Sequence, residues 1–430
     1  MKGHPKGLYM LFTVEMWERF GYYGMRALLV LYMVKHLAFS TEKSGQIYGW
    51  FTGLVYLTPL LGGYIADRYF GQRKCIIVGA ALMGVGYFML GLSSAMFFPA
   101  LFIIVFGNGF FKPNISTIVG KLYPPNDSRR DGGFTIFYMG INLGALFSPL
   151  IAGTLGEKYG WHYGFWAASA GMFIGLAVFL WKSREYLGNM CIGPAHCSSP
   201  GVEGEPVHDV NAPLTTEEWH RIAVIFIMTF FAIFFFACFE QAGSSLTLFA
   251  DRSTDRTFFG WEFPASWFQA VNPLLIVALA LPFSKLWTWL SEKQLEPTTS
   301  KKFAFGLAFL GAGFIVMVMA AKANKLTGLP VSFMWLTMAY LLHTIGELCL
   351  SPVGLSMVTK LAPAKFASLL MGTWLCSSAA ANIVGGMFAG NYDAMDHSLF
   401  FMIPAATAFG SAFVLYLLVK PINRWMHGVH

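Results

Sequence analysis

The chain has 430 residues, of which 56% are hydrophobic, 17% are aromatic and only 12% are charged. The charged share is about half that of an ordinary soluble domain. This composition therefore excludes an ordinary soluble protein. The formal net charge is +7, but the basic residues are not gathered into the patch that nucleic-acid binding would need.

Twelve apolar segments, separated by polar residues, follow one another along the chain. Each is long enough to cross a hydrocarbon core of about 30 Å, which takes about 20 helical residues. The sequence therefore predicts an all-α integral membrane protein. The predicted spans are 8–36, 44–66, 74–94, 97–120, 132–156, 161–182, 218–248, 265–290, 301–322, 330–358, 365–390 and 398–420.

The longest hydrophilic stretch divides these spans into two sets of six. It is rich in Gly, Pro and Ser, which is typical of a linker. We predict an N-terminal bundle at 1–182, a linker at 183–217 and a C-terminal bundle at 218–430. This is the layout of a major-facilitator transporter, in which substrate binds at the membrane midplane between the two halves.

The distribution of Lys and Arg predicts the orientation, because short cytoplasmic loops accumulate basic residues. Of the 29 basic residues, three lie deep within spans, 19 lie in the segments and span ends on the side of the termini, and seven lie in the loops and span ends on the other side. Both termini should therefore be cytoplasmic, in a multi-pass protein of the cell's inner (plasma) membrane. The N-terminus lacks the pattern of a cleaved secretory signal. The seven basic residues on the side away from the termini are Lys35, Lys43, Lys158, Arg252, Arg256, Lys322 and Lys325.

Most of the six cysteines lie within apolar spans. Cys191 and Cys197 share the predicted cytoplasmic linker, where thiols stay reduced, so neither a disulfide nor a metal site is expected there.

Ionisable residues inside the spans are the strongest functional signal. Each costs roughly 2.5–3.5 kcal/mol at mid-bilayer unless it faces protein or water, so a cluster of them implies a polar cavity. The seven residues are Glu15, Glu18, Arg19, Arg26, Lys112, Glu240 and Glu347.

The first span carries four of these residues on one helical stripe. Glu15 and Arg19 are at i,i+4 spacing and suit an ion pair, which leaves open a purely structural role in locking helices together. Arg26 has no acid three or four positions away. It should therefore find its partner on another helix or on a ligand.

The two halves of the chain carry opposite charges. Arg26 and Lys112 lie in the first half, and Glu240 and Glu347 lie in the second. A zwitterionic ligand fits this polarity, with its carboxylate toward the bases and its ammonium toward Glu347. Permanent salt bridges between the halves are the alternative, and both arrangements can occur in different states of one transport cycle.

Several neutral or aromatic residues lie at similar predicted depth. The amides of Asn142 and Asn272 either bond a peptide backbone or join helices. His343, one turn before Glu347, is a candidate to share its proton. Aromatic residues that either line a pocket or pack ordinarily are Tyr22, Tyr23, Tyr56 and Trp374.

The loop between Gly63 and Lys74, within the sequence GGYIADRYFGQRK, combines glycines, basic residues and Asp67. Its bases should hold it at the inner membrane face, and Asp67 is placed to cap a helix end. We interpret its role as conformational.

The segment from Glu15 to Gly24, EMWERFGYYG, resembles the helix-1 signature of the proton-dependent oligopeptide transporters, a family of the major-facilitator superfamily. Similar family motifs are GNGFFKPN around Lys112, FYMGINLG around Asn142, SWFQAVNP around Asn272 and GELCLSPVGLS around Glu347. These matches extend over the first ten spans, so the resemblance covers nearly the whole chain.

The resemblance implies a proton-coupled symporter of di- and tripeptides, a monomer, which is not an enzyme and uses the proton as its only coupling partner. Arg26 and Lys112 would bind the peptide carboxylate and Glu347 its ammonium. The remaining roles implied are backbone binding by Asn142 and Asn272, pocket shaping by Tyr22, Tyr56 and Trp374, proton coupling by Glu15, Glu18 and Arg19, and a protonation-sensitive gate between Glu240 and Arg26.

The sequence departs from the family pattern in two places. Phe236 stands where relatives often carry Trp, and the linker is too short for the two extra helices of many bacterial relatives.

Other functions remain open at this point. A symporter of another anion or zwitterion, such as nitrate or a drug-like acid, fits the same fold, and so does a peptide sensor that does not transport. An intramembrane hydrolase is disfavoured because the sequence lacks HExxH and GxSxG motifs, and Ser244 and Ser245 have no His nearby.

Overall fold

The computed structural model describes residues 3–124, 127, 129–193, 214–363 and 366–428, and these are almost entirely helical. The predicted all-α fold is confirmed. The α-helices are α1 (Lys6–Lys35), α2 (Thr41–Ile65), α3 (Gln72–Leu92), α4 (Phe97–Lys121), α5 (Arg130–Ser148), α6 (Trp161–Leu187), α7 (Thr216–Phe239), α8 (Ser245–Arg252), α9 (Phe268–Glu292), α10 (Thr299–Thr327), α11 (Met334–Leu361), α12 (Ala367–Ala389) and α13 (His397–Trp425).

Ten helical stretches of the described chain are long and apolar enough to cross a membrane. Two of them combine elements separated by a local break: Gly132–Tyr159 continues α5 through π-helical turns, and Thr216–Arg252 joins α7 to α8. The helices α1 and α2 are not among the ten. The ionisable residues in the middle of α1 account for its lower apolarity.

Most helices extend beyond the predicted spans, because polar residues continue a helix past the apolar segment. The sixth predicted span ended at residue 182, whereas α6 continues to Leu187. Its last turns contain the ion pair between Lys182 and Glu185, with Nζ and Oε2 2.8 Å apart. The linker predicted at 183–217 therefore begins inside α6, and its residues 194–213 lie outside the described part.

Helix α7 begins with a capping box. The Thr215 hydroxyl accepts a hydrogen bond from the Glu218 backbone, and the Glu218 carboxylate accepts one from the Thr215 backbone at 2.8 Å. This reciprocal pair satisfies backbone donors that would otherwise lack partners. The seventh predicted span, 218–248, is broken by the 3₁₀ turn Glu240–Gly243 between α7 and α8.

The chain forms two compact units. Unit 1 comprises Met1–Ala38 and Leu54–Glu205, and unit 2 comprises Phe39–Gly53 and Pro206–His430. In unit 1, α1 packs against α5 and α6, and α3 packs against α4 and α6. In unit 2, α10 packs against α11 and α13, and α7 packs against α12.

The first part of α2 lies in unit 2, where its glycines contact those of α12. A Cβ atom at Gly386 would lie 2.4 Å from the Cα of Gly49, and a Cβ atom at Gly45 would lie 2.6 Å from the backbone nitrogen of Gly390. Only residues without side chains allow two helix backbones to approach so closely.

The same end of α2 is joined to the residues after α12. The Thr41 hydroxyl donates a hydrogen bond to Asp393. Arg252, at the end of α8, binds the other Asp393 oxygen, with Nη1 and Oδ1 2.6 Å apart. Asp393 therefore links three segments of unit 2.

Short strands complete unit 2. Thr254–Asp255 pairs in parallel with Val331–Ser332, and Thr257–Phe258 pairs antiparallel with Trp261–Glu262. Because each strand has two residues, they serve as loop contacts rather than as a sheet.

Candidate functional site

The predicted ion cluster of α1 is present inside unit 1. Arg19 Nε lies 3.1 Å from Glu15 Oε1 and also donates a hydrogen bond to Glu18 Oε2. The three side chains are buried, with exposed fractions of 2% for Glu15, 0% for Glu18 and 3% for Arg19. One guanidinium thus serves two carboxylates that are out of contact with solvent.

The acids of this cluster also interact electrostatically with a basic residue on α4. Lys112 lies within electrostatic range of Glu15 and Glu18, and its Nζ is 4.9 Å from the centre of the Tyr56 ring. Two cations therefore balance two acids, which is the arrangement that makes buried charges tolerable.

Aromatic rings surround the two arginines of α1. The Arg19 guanidinium carbon lies 5.5 Å from the centre of the Tyr22 ring, and that of Arg26 lies 5.8 Å from the Tyr23 ring. The Tyr22 and Tyr23 rings meet edge to face at 5.4 Å. The two distances from arginine to ring are in the cation–π range, in which a ring face stabilises a partly desolvated cation.

The amide of Asn142 is 8% exposed. Its Nδ2 donates to the Tyr138 carbonyl one turn earlier on α5, at 3.0 Å. The amide is therefore held by its own helix.

In unit 2, two predicted site residues meet directly. Asn272 of α9 donates a 2.8 Å hydrogen bond to Glu347 Oε2 of α11, and a 3.0 Å bond to the hydroxyl of Thr344. Glu240 lies at the junction of α7 and the 3₁₀ turn, within electrostatic range of Glu347. Unit 2 thus brings together two acids and the amide that orients one of them.

Trp374 is buried in unit 2, with 4% of its surface exposed. Its ring packs against Phe303 at a centroid distance of 6.2 Å, and a Cβ atom at Gly354 would lie 2.4 Å from it. Most of the ring therefore contributes to the packing of α10, α11 and α12.

His343 is directed toward α10, where its ring lies 4.7 Å from that of Phe314. Glu347 instead bonds to α9. The two side chains, one turn apart on α11, thus have different surroundings. Among the described residues, no group of three or more His, Cys, Asp or Glu side chains is placed to hold a metal ion.

The sequence analysis did not single out three polar residues that lie near these clusters. Thr344 shares the Asn272 amide with Glu347. Tyr87 and Asn108 are fully buried in unit 1. The spacing of Asn108, one turn before Lys112, is a signal that was available in the sequence.

Spans of membrane length that enclose a buried ion cluster are typical of a polytopic membrane protein of the transporter class, since such charges mark substrate and proton pathways. Comparison with known proteins agrees: the family model PTR2, the POT family, matches residues 73–190 and 199–407. The chain belongs to the POT family.

Curated relatives match the chain over almost its full length. It is 37% identical to the uncharacterized transporter YclF of Bacillus subtilis, and 36% identical to the peptide transporter YePEPT of Yersinia enterocolitica. Both alignments cover 99% of this chain and 96% of the relative. A solved POT family transporter in complex with 5-aminolevulinic acid is 29% identical, with a TM-score of 0.89 and coverage of 98% of this chain and 97% of that chain.

Proposed function

We propose that the protein is a proton-coupled symporter that carries di- and tripeptides into the cell by alternating access. The observation that carries this proposal is the hydrogen bond from Asn272 to Glu347. It fixes a half-buried carboxylate on α11, as recognition of a peptide ammonium group requires. The name of the relative YePEPT supports a peptide as substrate.

In this proposal, the two charged ends of the ligand bind residues of opposite charge. Arg26 and Lys112 bind the peptide carboxylate, and Glu347 binds the ammonium. Asn142 and Asn272 bond the peptide backbone, and the pocket-shaping residues are Tyr22, Tyr56 and Trp374. The buried position of Trp374 supports an indirect contribution, through the packing around it.

Proton coupling is assigned to Glu15, Glu18 and Arg19, with Glu240 releasing Arg26 when Glu240 is protonated. The contacts of Arg19 with both acids support this assignment, because protonation of either acid would change the charge balance of the cluster. A ligand shifts a conformational equilibrium only through differential affinity, so a residue that exchanges partners between states is what alternating access requires.

The remaining parts of the proposal concern topology. We infer twelve spans in two six-helix bundles, 1–182 and 218–430, joined by the linker 183–217, with both termini cytoplasmic in the inner membrane. The ten apolar stretches, together with α1 and α2, supply twelve spans. The protein acts without a cofactor other than the proton and as a monomer.

Uptake of a labelled dipeptide into proteoliposomes tests the function. We expect accumulation when the outside is acidic and the inside is negative, and loss of accumulation when the pH gradient and the membrane potential are both collapsed. Accumulation that persists without the gradients would refute proton coupling, and binding without uptake would indicate a sensor.

A second candidate function is symport of another small zwitterion, favoured by the related transporter in complex with 5-aminolevulinic acid. Competition separates the two: excess dipeptide should block uptake of 5-aminolevulinic acid if peptides are the main substrate. If 5-aminolevulinic acid blocks dipeptide uptake at much lower concentration than the reverse, the second function is preferred.

A further inference from the structure

Unit 1 contains a group of buried polar atoms that have no hydrogen-bond partner among the described residues. The atoms are Glu15 Oε2, Glu18 Oε1, Arg19 Nη2, Tyr87 Oη and Asn108 Oδ1 and Nδ2. Leaving such an atom unsatisfied costs about 1–3 kcal/mol, and more for a charged group. So many in one part of a unit call for an explanation.

The carboxylates are only half satisfied. Arg19 binds Glu15 through Oε1 and Glu18 through Oε2. The second oxygen of each carboxylate is buried and remains to be paired. The cluster therefore presents two further acceptors, together with the Arg19 donor Nη2.

Tyr87 of α3 reaches this cluster from one side. A Cβ atom at Gly21 would lie 2.9 Å from Cε2 of the Tyr87 ring. Gly21 is three positions after Glu18, so the two lie on neighbouring turns of the same α1 face. The charges of Glu18 and Arg19 are within electrostatic range of the Tyr87 hydroxyl.

Asn108 of α4 lies at nearly the same depth in the unit as the acids of α1. A Cβ atom at Gly107 would be 2.7 Å from the Met83 side chain, and Met83 precedes Tyr87 by one turn of α3. A Cβ atom at Gly79 would lie 2.6 Å from the Gly107 carbonyl, so Asn108 is one to two helical turns, roughly 5–10 Å, from the level of Tyr87. Gly21 lies beside Tyr87, and Glu18 and Glu15 precede Gly21 by three and six residues, so both acids are expected within this range of depth.

The direction of Asn108 follows from its neighbours on α4. Gly107 faces α3 and Gly109 faces α2, where a Cβ atom would be 2.8 Å from Thr58. Asn108 lies about 100° from each, and about 160° from the exposed Phe106. Lys112 is only about 40° around the helix from Asn108, and it reaches both acids electrostatically.

We propose that Tyr87 and Asn108, together with Glu15, Glu18 and Arg19, enclose an internal water site, and that they position this water against Glu18. The atoms include both donors and acceptors, which a bridging water with two to four polar partners requires. The water then connects the Glu18 proton to neutral groups on α3 and α4. Tyr87 and Asn108 are thus positioning residues for proton coupling.

Other charged or titratable groups also face this site. They lie on α1 and α4, whereas α6 presents the Ala168 carbonyl beside Gly21 and α5 presents the Ser148 hydroxyl near Gly24. Besides Glu15 and Arg19, which belong to the site, the groups are Tyr22, Tyr23 and Lys112.

A first experiment tests the water itself, independently of transport. Brief X-ray radiolysis of the full-length protein generates hydroxyl radicals from bound water, which modify adjacent tyrosines. We expect Tyr87 to be modified at least fivefold faster than Tyr340. Tyr340 serves as the buried reference tyrosine, because it is 2% exposed and its hydroxyl donates a hydrogen bond to the Ala242 carbonyl. Equal rates for the two residues would overturn the proposal.

A second experiment tests the positioning role, which depends on the proposed proton-coupled transport. The pH dependence of dipeptide accumulation is measured for Tyr87→Phe and Asn108→Leu in proteoliposomes. Loss of a hydrogen-bond donor disfavours the charged carboxylate. The midpoint, the pH at which dipeptide accumulation is half-maximal, should therefore rise by about one unit, equivalent to about 1.4 kcal/mol. Peptide counterflow at fixed pH should stay within twofold of wild type.

Matched controls are Tyr340→Phe and Asn114→Leu, since the Asn114 amide already donates to the Phe110 carbonyl at 2.7 Å. Both controls should keep the wild-type midpoint. An unchanged midpoint in Tyr87→Phe refutes the positioning role, even if Asn108→Leu fails to fold. If wild type itself shows no pH-driven uptake, the proposed function fails, while the radiolysis result still decides the water site.

Discussion

The substitution Glu347→Gln separates recognition of a peptide ammonium group from a structural role. Glutamine keeps an oxygen that can accept the hydrogen bond from Asn272, which is 2.8 Å long in the wild type. The fold around α9 and α11 should therefore survive. What is lost is the negative charge, and a hydrogen bond involving a charged group is worth about 1.5–3 kcal/mol.

This loss predicts an apparent KM for a free dipeptide that rises roughly ten- to a hundredfold, since about 1.4 kcal/mol corresponds to a factor of ten. An N-acetylated dipeptide has no ammonium group, so its weaker uptake should change less than threefold. The assay is counterflow in proteoliposomes with both substrates. The exposed acid Glu217 provides a matched control, because Glu217→Gln changes charge at the start of α7. Equal losses for the two substrates would refute the assignment of Glu347 to the ammonium.

The remaining predictions concern coupling and helix packing. We expect Glu18→Gln to abolish proton-driven accumulation but to spare peptide counterflow, whereas Arg26→Ala should impair both assays; the opposite pattern would exchange their roles. We expect Gly386→Leu to lower the free energy of unfolding by about 1–3 kcal/mol through overpacking, because even a Cβ atom there would lie 2.4 Å from Gly49. Thermal unfolding in detergent measures this loss, and Gly410→Ala, where a Cβ atom would enter open space, should unfold near the wild-type temperature.

The sequence was sufficient for the helical fold because membrane spans leave a simple signal, a long apolar segment between polar residues. The local break after α7 was not predictable in this way. The turn Glu240–Gly243 lies within one continuous apolar stretch, and its position depends on tertiary contacts such as the 2.8 Å bond from Gln241 to the Gly385 carbonyl.

The ion pairs of α1 were predictable because Glu15 and Arg19 are one helical turn apart. The bond between Asn272 and Glu347 was not, because it joins residues 75 positions apart and depends on how α9 packs against α11. Each residue was selected separately, from its polarity within an apolar span.

Tyr87 and Asn108 were overlooked for a related reason. A single tyrosine in an apolar helix has the composition of ordinary packing, and its buried hydroxyl becomes informative only when neighbouring helices are placed. Asn108 was inside a motif already noted for Lys112, and its i,i+4 spacing from that lysine would have included it.

Arg73, near the start of α3, is buried against the C-terminal end of α6. Its guanidinium donates to the Gly188 carbonyl at 2.6 Å and to the Ser183 hydroxyl at 3.0 Å, while its backbone nitrogen donates to the Cys191 carbonyl at 3.2 Å. The loop interpreted as conformational thus binds the chain immediately after α6.

These bonds decide where the polypeptide tolerates interruption. If the two halves are expressed as separate chains, or a fluorescent protein is inserted between them, the chain should be divided after Gly193. A division directly after Leu187 would detach the carbonyl groups of Gly188 and Cys191. The buried guanidinium would then keep the Ser183 hydroxyl but lose Gly188, and the Arg73 backbone nitrogen would lose its Cys191 acceptor.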